Sequence, residues 1–293
     1  MKPGQFVYHA PSTIDEALAT LAAVAPEDGR VIAGGQSLVP AMALRLAQPA
    51  HLVDINGVVG LDRLQVDAGE LCIGACVRHA AFERSVAQGP LGPLLASVAR
   101  HIAHHPIRTR GTFCGSVANA DPASEWCLVV ATLGANMVVR STRGARTIAE
   151  PGFFQGIMTT ALAPDELLAE TRLPLLAADT RCGFNEFNRR AGDFAIAMSL
   201  AAYRVEGGLI VDPRVGVGAV ESQPRRIPEA EAALRGHPPG ADCFLAAAQA
   251  AADAVEPIEA KPELAAYKRD VVRAVVKRAL EAAEKSADSN KAE

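Results

Sequence analysis

Residues 30–57 set the first constraint on this chain. RVIAGG (30–35) is a short apolar strand ending in a glycine pair. QSLVPAMALRLA (36–47) has helical character, and HLVDI (51–55) reads as a second strand. A strand that turns through glycines into a helix and then returns as a strand specifies an α/β unit. Pro40 falls early in the helix, where a missing N–H leaves no carbonyl unpaired. Upstream, Thr13 followed three residues later by Glu16 predicts a capping box. Ile14, Ala17, Leu18, Leu21 and Ala22 then recur at helical spacing, so the unit spans residues 1–57.

The pattern changes after residue 60. LDRLQVDAGELCIGACV (61–77) places two strand-like runs around Asp67-Ala68-Gly69-Glu70, a hairpin signal. Helical stretches are expected at 78–87 and 91–103, and a second hairpin over 136–149, turning at Thr142-Arg143-Gly144. An extended segment ends at Pro174, and LLAADTR (175–181) marks a boundary. Beyond it, two or three strands with a turn at Gly207-Gly208 precede helices over 242–255 and 261–287, and the polar end is expected to fray.

The 293 residues suffice for about two domains. A hydrophobic content of 49% argues against a disordered chain. A net charge of −4 without a basic block argues against nucleic-acid binding. No apolar run reaches the ~18 residues of a membrane span. The beginning, MKPGQFVYHAPSTIDEA, lacks a charged and then apolar leader, so the expected location is the cytoplasm. Cysteines at 72, 76, 114, 127, 182 and 243 form no C-x-x-C pair. They do not supply an iron–sulfur or structural zinc site, and are expected to be reduced and largely buried.

Two glycine-bearing stretches carry the chemistry. Ala33-Gly34-Gly35-Gln36-Ser37 offers several backbone N–H groups ahead of a helix, which suits a diphosphate. It matches neither G-x-G-x-x-G nor the P-loop, and alone it also reads as an ordinary strand–helix turn. GTFCGSVANADPASEW (111–126) combines Gly111, Gly115, Ser116, Ala118 and Ala120 with the polar groups of Thr112, Asn119 and Ser124. Such a loop admits a flat or charged ligand closely. Asp121 and Glu125 suit ribose hydroxyls or loop N–H groups, the alternative being a surface turn at Asp121-Pro122. His101, His104 and His105 lie at helical spacing, but without H-E-x-x-H they read as a helix C-terminus ahead of Pro106 rather than metal ligands. Arg189 and Arg190 with Asp193 suit an ion network or a phosphate contact. The cationic face of the last helix (Lys268, Arg269, Arg273, Lys277, Arg278) suits solvent or a subunit contact. No G-x-S-x-G or marked acid–base pair is present, so the chain reads as a cofactor holder.

Four segments together resemble one family: AGGQSLVPAMALRLAQPAHLVDING (33–57), IRTRGTFCGSVANADPASEW (107–126), FFQGIMTTALAPDELLAETRLP (153–174) and FNRRAGDFAIA (187–197). They are similar, in order and over nearly the whole chain, to the FAD-binding medium subunit of molybdenum hydroxylases. That is the family of carbon monoxide dehydrogenase medium chains and of the xanthine dehydrogenase flavin domain. The resemblance implies an α+β fold: a vanillyl-alcohol-oxidase-like (PCMH-type) FAD-binding domain of two α/β subdomains, plus a C-terminal domain of a short antiparallel sheet with helices. The corresponding boundaries are 1–176 (subdomains 1–57 and 58–176), 177–287, and a polar tail at 288–293.

It further implies that Ala33, Gly34, Gly35, Gln36 and Ser37 contact the FAD diphosphate, flanked by Val31, Ile32 and Leu38. Gly111, Thr112, Gly115, Ser116, Ala118 and Asn119 match the second loop, with Cys114 counted among its cofactor-binding positions. Ser124 and Glu125 follow, Glu125 where the family keeps an acidic group for the adenosine ribose, and Leu168 falls near a position that packs on the flavin. On this reading Gly34→Val abolishes binding because a side chain enters the diphosphate space. The implied partners are a large molybdopterin subunit and a small subunit with two iron–sulfur clusters, in a dimer of heterotrimers. Electrons pass from the clusters through FAD to an external acceptor. A stand-alone FAD oxidase and a non-catalytic nucleotide-binding module are the alternatives.

Three departures stand out. Cys114 replaces the first glycine of the usual G-T-x-G-G pair, Thr109 stands where Asn is usual, and Asn185-Glu186-Phe187-Asn188 lacks the lysine common before the arginine pair. Cys114 then reads as a tolerated small side chain, a sulfur touching the cofactor, or a covalent link.

Overall fold

The computed structural model describes residues 2–289. The first unit contains β1 (Val7–His9), α1 (Ile14–Val24), β2 (Gly29–Ile32), α2 (Leu38–Ala43) and β3 (His51–Asp54). Its strands form a parallel sheet in the order β1-β3-β2. The capping box forms: Thr13 Oγ1 accepts from the Glu16 amide at 3.3 Å, and the Glu16 carboxylate accepts from the Thr13 amide at 3.1 Å. This fixes the start of α1, whose Ala17, Leu18, Leu21 and Val24 are buried.

The second unit opens on the expected hairpin, β4 (Leu64–Asp67) and β5 (Glu70–Gly74). Ala68 and Gly69 at its tip have φ of 48° and 81°. Two successive left-handed residues match the right-handed twist of the flanking strands. Then follow α3 (Leu91–Ala99), α4 (His105–Arg108), α5 (Phe113–Asn119) and α6 (Glu125–Leu133). Strands β6 (Asn136–Ser141), β7 (Gly144–Ala149), β8 (Phe154–Gly156), β9 (Thr159–Thr160) and β10 (Leu167–Pro174) complete the unit. The main sheet is antiparallel in the order β4-β5-β10-β6-β7.

Several expectations are corrected here. The helix expected at 78–87 is a short 3-10 turn, His79–Glu83. The helix expected to reach residue 103 ends at Ala99, and His104 instead caps the new helix α4. Glu83 holds that turn, accepting from Arg108 Nε at 2.7 Å and pairing with His105 at 3.2 Å. Residues 113–119, read as loop, are helical.

The third unit is an antiparallel sheet of β11 (Arg181–Phe187), β12 (Ala197–Glu206), β13 (Leu209–Gly218) and β14 (Arg225–Arg226), in chain order. It is followed by α7 (Pro228–Leu234), which the sequence pattern did not announce, α8 (Ala241–Ala254) and α9 (Pro262–Ser289). Alternation along β12 splits the core: Met198, Leu200 and Ala202 join the core of the first two units, while Ala197, Ala201 and Tyr203 face α8 and α9. Helix α6 is the shared element. Trp126 through Leu133 are all buried, and β13 approaches so closely that a Cβ at Gly216 would stand 1.8 Å from Thr132 Oγ1. The α9 cations pair locally, Lys268 with Glu259 and Arg273 with Asp270. Arg189 and Arg190 are exposed and form no ion pair with the described residues, so the network suggested around Asp193 is not made. α9 continues through Ser289, two residues into the expected tail; 290–293 lie outside the described residues. No described helix is long and apolar enough to cross a membrane.

Candidate functional site

The two glycine stretches meet, although one leaves a strand and the other lies among helices. The first leaves the end of β2. Gly35 has a φ of +70°, a conformation that an L side chain resists. Gly34 lies against the second stretch: a Cβ there would stand 2.3 Å from the Arg110 carbonyl oxygen and 2.6 Å from Gly111 Cα. The close approach of two backbones demands glycine at this position. The Gln36 side chain turns back, its Nε2 donating to the Gly34 carbonyl at 2.9 Å. The N–H groups of Gly34, Gly35, Gln36 and Ser37 find no acceptor among the described residues. Val31, Ile32 and Leu38 flank them half-buried, with Val31 and Ala33 packed on the core.

The second stretch is ordered by its cap. Thr112 Oγ1 accepts from the Gly115 amide at 3.0 Å and starts α5. The helix has two faces. Phe113, Cys114 and Val117 are buried, whereas Gly115, Ser116, Ala118 and Asn119 are half-exposed and form a face of small groups. Beneath it lies an aromatic bed, with Phe113 and Phe82 ring centroids 4.7 Å and 5.1 Å from Trp126. Trp126 Nε1 donates to His79 Nδ1 at 2.9 Å. The His79 ring is the group a Cβ at Gly111 would strike, at 2.5 Å. Burial pushes the His79 pKa down to about 4, helped by the Arg78 and Arg108 charges, so its ring is neutral and accepts the indole proton.

Cys114 resolves against the cofactor-facing readings. Its thiol points into the core, 3.3 Å from the Ile73 carbonyl, to which it donates, and 3.3 Å from Thr171 Oγ1. Burial pushes its pKa up to about 12. The sulfur is a small core group on the closed face of α5. Burial also raises the Cys76 thiol to about 11 and the Cys182 thiol to about 12. All six cysteines are free thiols, and Cys243 alone of them is not fully buried. A thiol reagent on the native protein is therefore expected to label Cys243 first and the other five only upon unfolding; rapid labelling of Cys114 would contradict its placement.

The remaining expected site residues divide. Ser124 stands immediately before α6 and is buried. Asp121 is tied to its own loop, accepting from the Ala123 amide at 2.9 Å. Glu125 opens α6, and no described side chain bonds its carboxyl. Burial pushes its pKa to about 8, with the Glu186 and Asp121 charges adding to the rise. Glu186 itself is raised to about 7 by burial. At neutral pH Glu125 thus carries a proton and is able both to donate to and to accept from a hydroxyl. Leu168 is buried on β10, where it pairs with Val139 of β6. The apolar groups exposed beside α5 are Ile157 and Met158, anchored by the Met158 amide donating to the Ala120 carbonyl at 3.1 Å.

Two residues escaped the sequence reading. Asn56 Nδ2 donates to the Ala33 carbonyl at 2.7 Å, and Arg78 bridges Asn56 Oδ1, at 2.6 Å, to the Arg110 carbonyl. Asn56 lay within the quoted D-I-N-G; only its contacts with Ala33 and Arg78, 23 and 22 residues away, reveal its role.

Free amides beyond a strand end, a second glycine stretch packed against them and a helix face of small groups fit a dinucleotide, because backbone N–H groups suit a diphosphate and small side chains admit a flat ring closely. The glycine stretches and the small-residue helix face together define a chain suited to holding a dinucleotide cofactor. The chain belongs to the family described as the FAD binding domain in molybdopterin dehydrogenase, which matches residues 4–176; the CO dehydrogenase flavoprotein C-terminal domain matches residues 183–283. It is 36% identical over 280 residues to the nicotine 6-hydroxylase medium subunit of Paenarthrobacter nicotinovorans, covering 96% of this chain and 98% of that one. It is 34% identical over 284 residues to the carbon monoxide dehydrogenase medium chain of Hydrogenophaga pseudoflava, covering 97% and 98%. A carbon monoxide dehydrogenase structure from H. pseudoflava superposes with a TM-score of 0.91 at 36% identity, over 97% of this chain and 99% of that one. Quinoline 2-oxidoreductase from Pseudomonas putida 86 gives 0.91 at 34%, over 98% and 99%.

Proposed function

We propose that this chain is the electron-transfer subunit of a heterotrimeric molybdenum hydroxylase. It takes electrons from the two iron–sulfur clusters of a small partner subunit and delivers them through FAD to an external acceptor. A large partner subunit carries molybdopterin and selects the substrate, and two heterotrimers pair. The observation that carries this reading is the row of unclaimed amides from Gly34 to Ser37, on a loop packed at Gly34 against Arg110 and Gly111 of the second glycine stretch. The diphosphate takes those amides. Gly111, Gly115, Ser116, Ala118 and Asn119 line the opposite wall, and Glu125 meets the ribose hydroxyls. FAD supplies a two-electron store that can be emptied one electron at a time; the protein binds it, orients it and limits water. The relatives support the partner scheme: their names include medium subunits or chains acting on nicotine and carbon monoxide, and a beta subunit of a caffeine dehydrogenase. Similar chains serving such different substrates fit substrate selection on another subunit.

The test is purification of the native assembly. Three chain types are expected, with one FAD per copy of this chain, released by acid denaturation, and with the flavin band bleaching when the complex's substrate is added. A chain that stays colourless after FAD is supplied within its complex refutes the reading. Turnover by the lone chain would make it a stand-alone oxidase instead.

A further inference from the structure

We infer that Asn56 and Arg78 are positioning residues for the cofactor: they aim the Gly34 amide at the groove and hold the two loops in register. The inference rests on the reading of those loops as the FAD cradle. A peptide group is planar, so its C=O and the following N–H point in opposite directions. Asn56 holds the Ala33 carbonyl from behind, which turns the Gly34 N–H outward. Gln36 does the same for the next peptide, holding the Gly34 carbonyl and turning out the Gly35 N–H. Without such ties, a glycine pair explores a wide range of backbone angles, and each amide loses its direction.

The orientation of the Asn56 side chain is itself determined. Asp54 Oδ1 accepts from both the Asn56 backbone N–H, at 2.9 Å, and Nδ2, at 2.5 Å. The donor end of the amide is therefore committed to Asp54 and Ala33, leaving Oδ1 for Arg78. The second Asp54 oxygen accepts from the Tyr8 hydroxyl, which steadies the end of β3. Arg78 then uses its planar fork twice, on Asn56 Oδ1 and on the Arg110 carbonyl. That carbonyl is the atom against which Gly34 packs. Arg78 is held in place by its own backbone, since it bridges with Thr112 and the next residue, His79, donates to the Gly111 carbonyl at 3.0 Å. The chain of bonds thus runs from the end of β3 through Asn56 to Arg78 and both loops.

The test uses the full-length chain stripped of FAD and titrated with FAD by flavin fluorescence, with thermal unfolding of the FAD-free chain in parallel. Asn56→Ala and Arg78→Ala are each expected to weaken FAD binding by about tenfold, with the unfolding midpoint of the FAD-free chain little changed. Because either deletion breaks the same link, the double variant is expected to lose less than the product of the two single losses. Arg78→Lys, which reaches one acceptor but not both, is expected to recover part of the affinity. Ser116→Leu, which fills the open face of α5, reports separately on the cradle and is expected to abolish binding. Single variants with wild-type affinity alongside an impaired Ser116→Leu overturn the inference. So does a loss of thermal stability at unchanged affinity. Wild-type affinity in Ser116→Leu overturns the cradle reading itself.

Discussion

Replacing Gly34 by valine is expected to cost the chain both its FAD and part of its stability. The sequence alone suggested that the new side chain would occupy diphosphate space. The structure gives a different reason: the Cβ would fall 2.3 Å from the Arg110 carbonyl oxygen and 2.6 Å from Gly111 Cα, inside the facing loop. Both are backbone atoms, so no flexible side chain can give way. Either the loops part or β2 shifts, and overpacking of this kind costs on the order of 3 kcal/mol. Parting the loops also separates the amides from the opposite wall of the groove. FAD content is therefore expected to fall below about a tenth of wild type, a loss of this size in binding energy being more than sufficient, and the unfolding midpoint of the FAD-free chain should fall as well. Full occupancy at wild-type stability would mean that the loops are not held in contact.

The second large effect is a dependence on pH. His79 is 4% exposed and neutral when folded, with a pKa of about 4 against an ordinary 6.5. Below pH 6.5 the unfolded chain takes up a proton that the folded chain refuses. The His79 contribution to stability is thus complete above pH 6.5, declines as the pH falls, and is lost by about pH 4. A separation of roughly 2.5 units amounts to about 3 kcal/mol. Glu125 and Glu186 act in the opposite sense: their folded pKa values are raised to about 8 and about 7, so they favour the folded state as the pH falls toward the ordinary carboxylate range. The measurement that isolates His79 is the difference between wild type and His79→Gln, in which the carboxylate contributions cancel. Denaturant unfolding between pH 7.5 and 4 should show wild type losing about 3 kcal/mol relative to the variant. Parallel curves would mean that His79 takes up its proton without penalty.

Local signals were legible in the sequence, and contacts between distant segments were not. The Thr13–Glu16 capping box and the Ala68-Gly69 turn depend on a few adjacent residues, and both are found where the pattern placed them. Helix α5 was hidden because its residues are small and its apolar stripe is only Phe113, Cys114 and Val117. Burial on the aromatic bed, together with the Thr112 cap, overrides weak helical propensity there. Cys114 shows the same limit from another side. Sequence placed it at a glycine position of the cradle but did not give its direction, and one face of a helix decides between core and groove. Asn56 and Arg78 were invisible for a third reason. Each is polar and locally unremarked, and gains meaning only where the fold brings the 33–37 loop against Arg110.

The contact between Gly34 and Arg110 also bears on how such a chain can vary over time. The two loops lie about 75 residues apart in sequence, yet neither has freedom of shape without the other. A substitution that suits one wall of the groove is tested at once against the backbone of the other. Any side chain added at residue 34 has to be answered by a shift of the backbone at residues 110–111, so two loops remote in sequence share one shape.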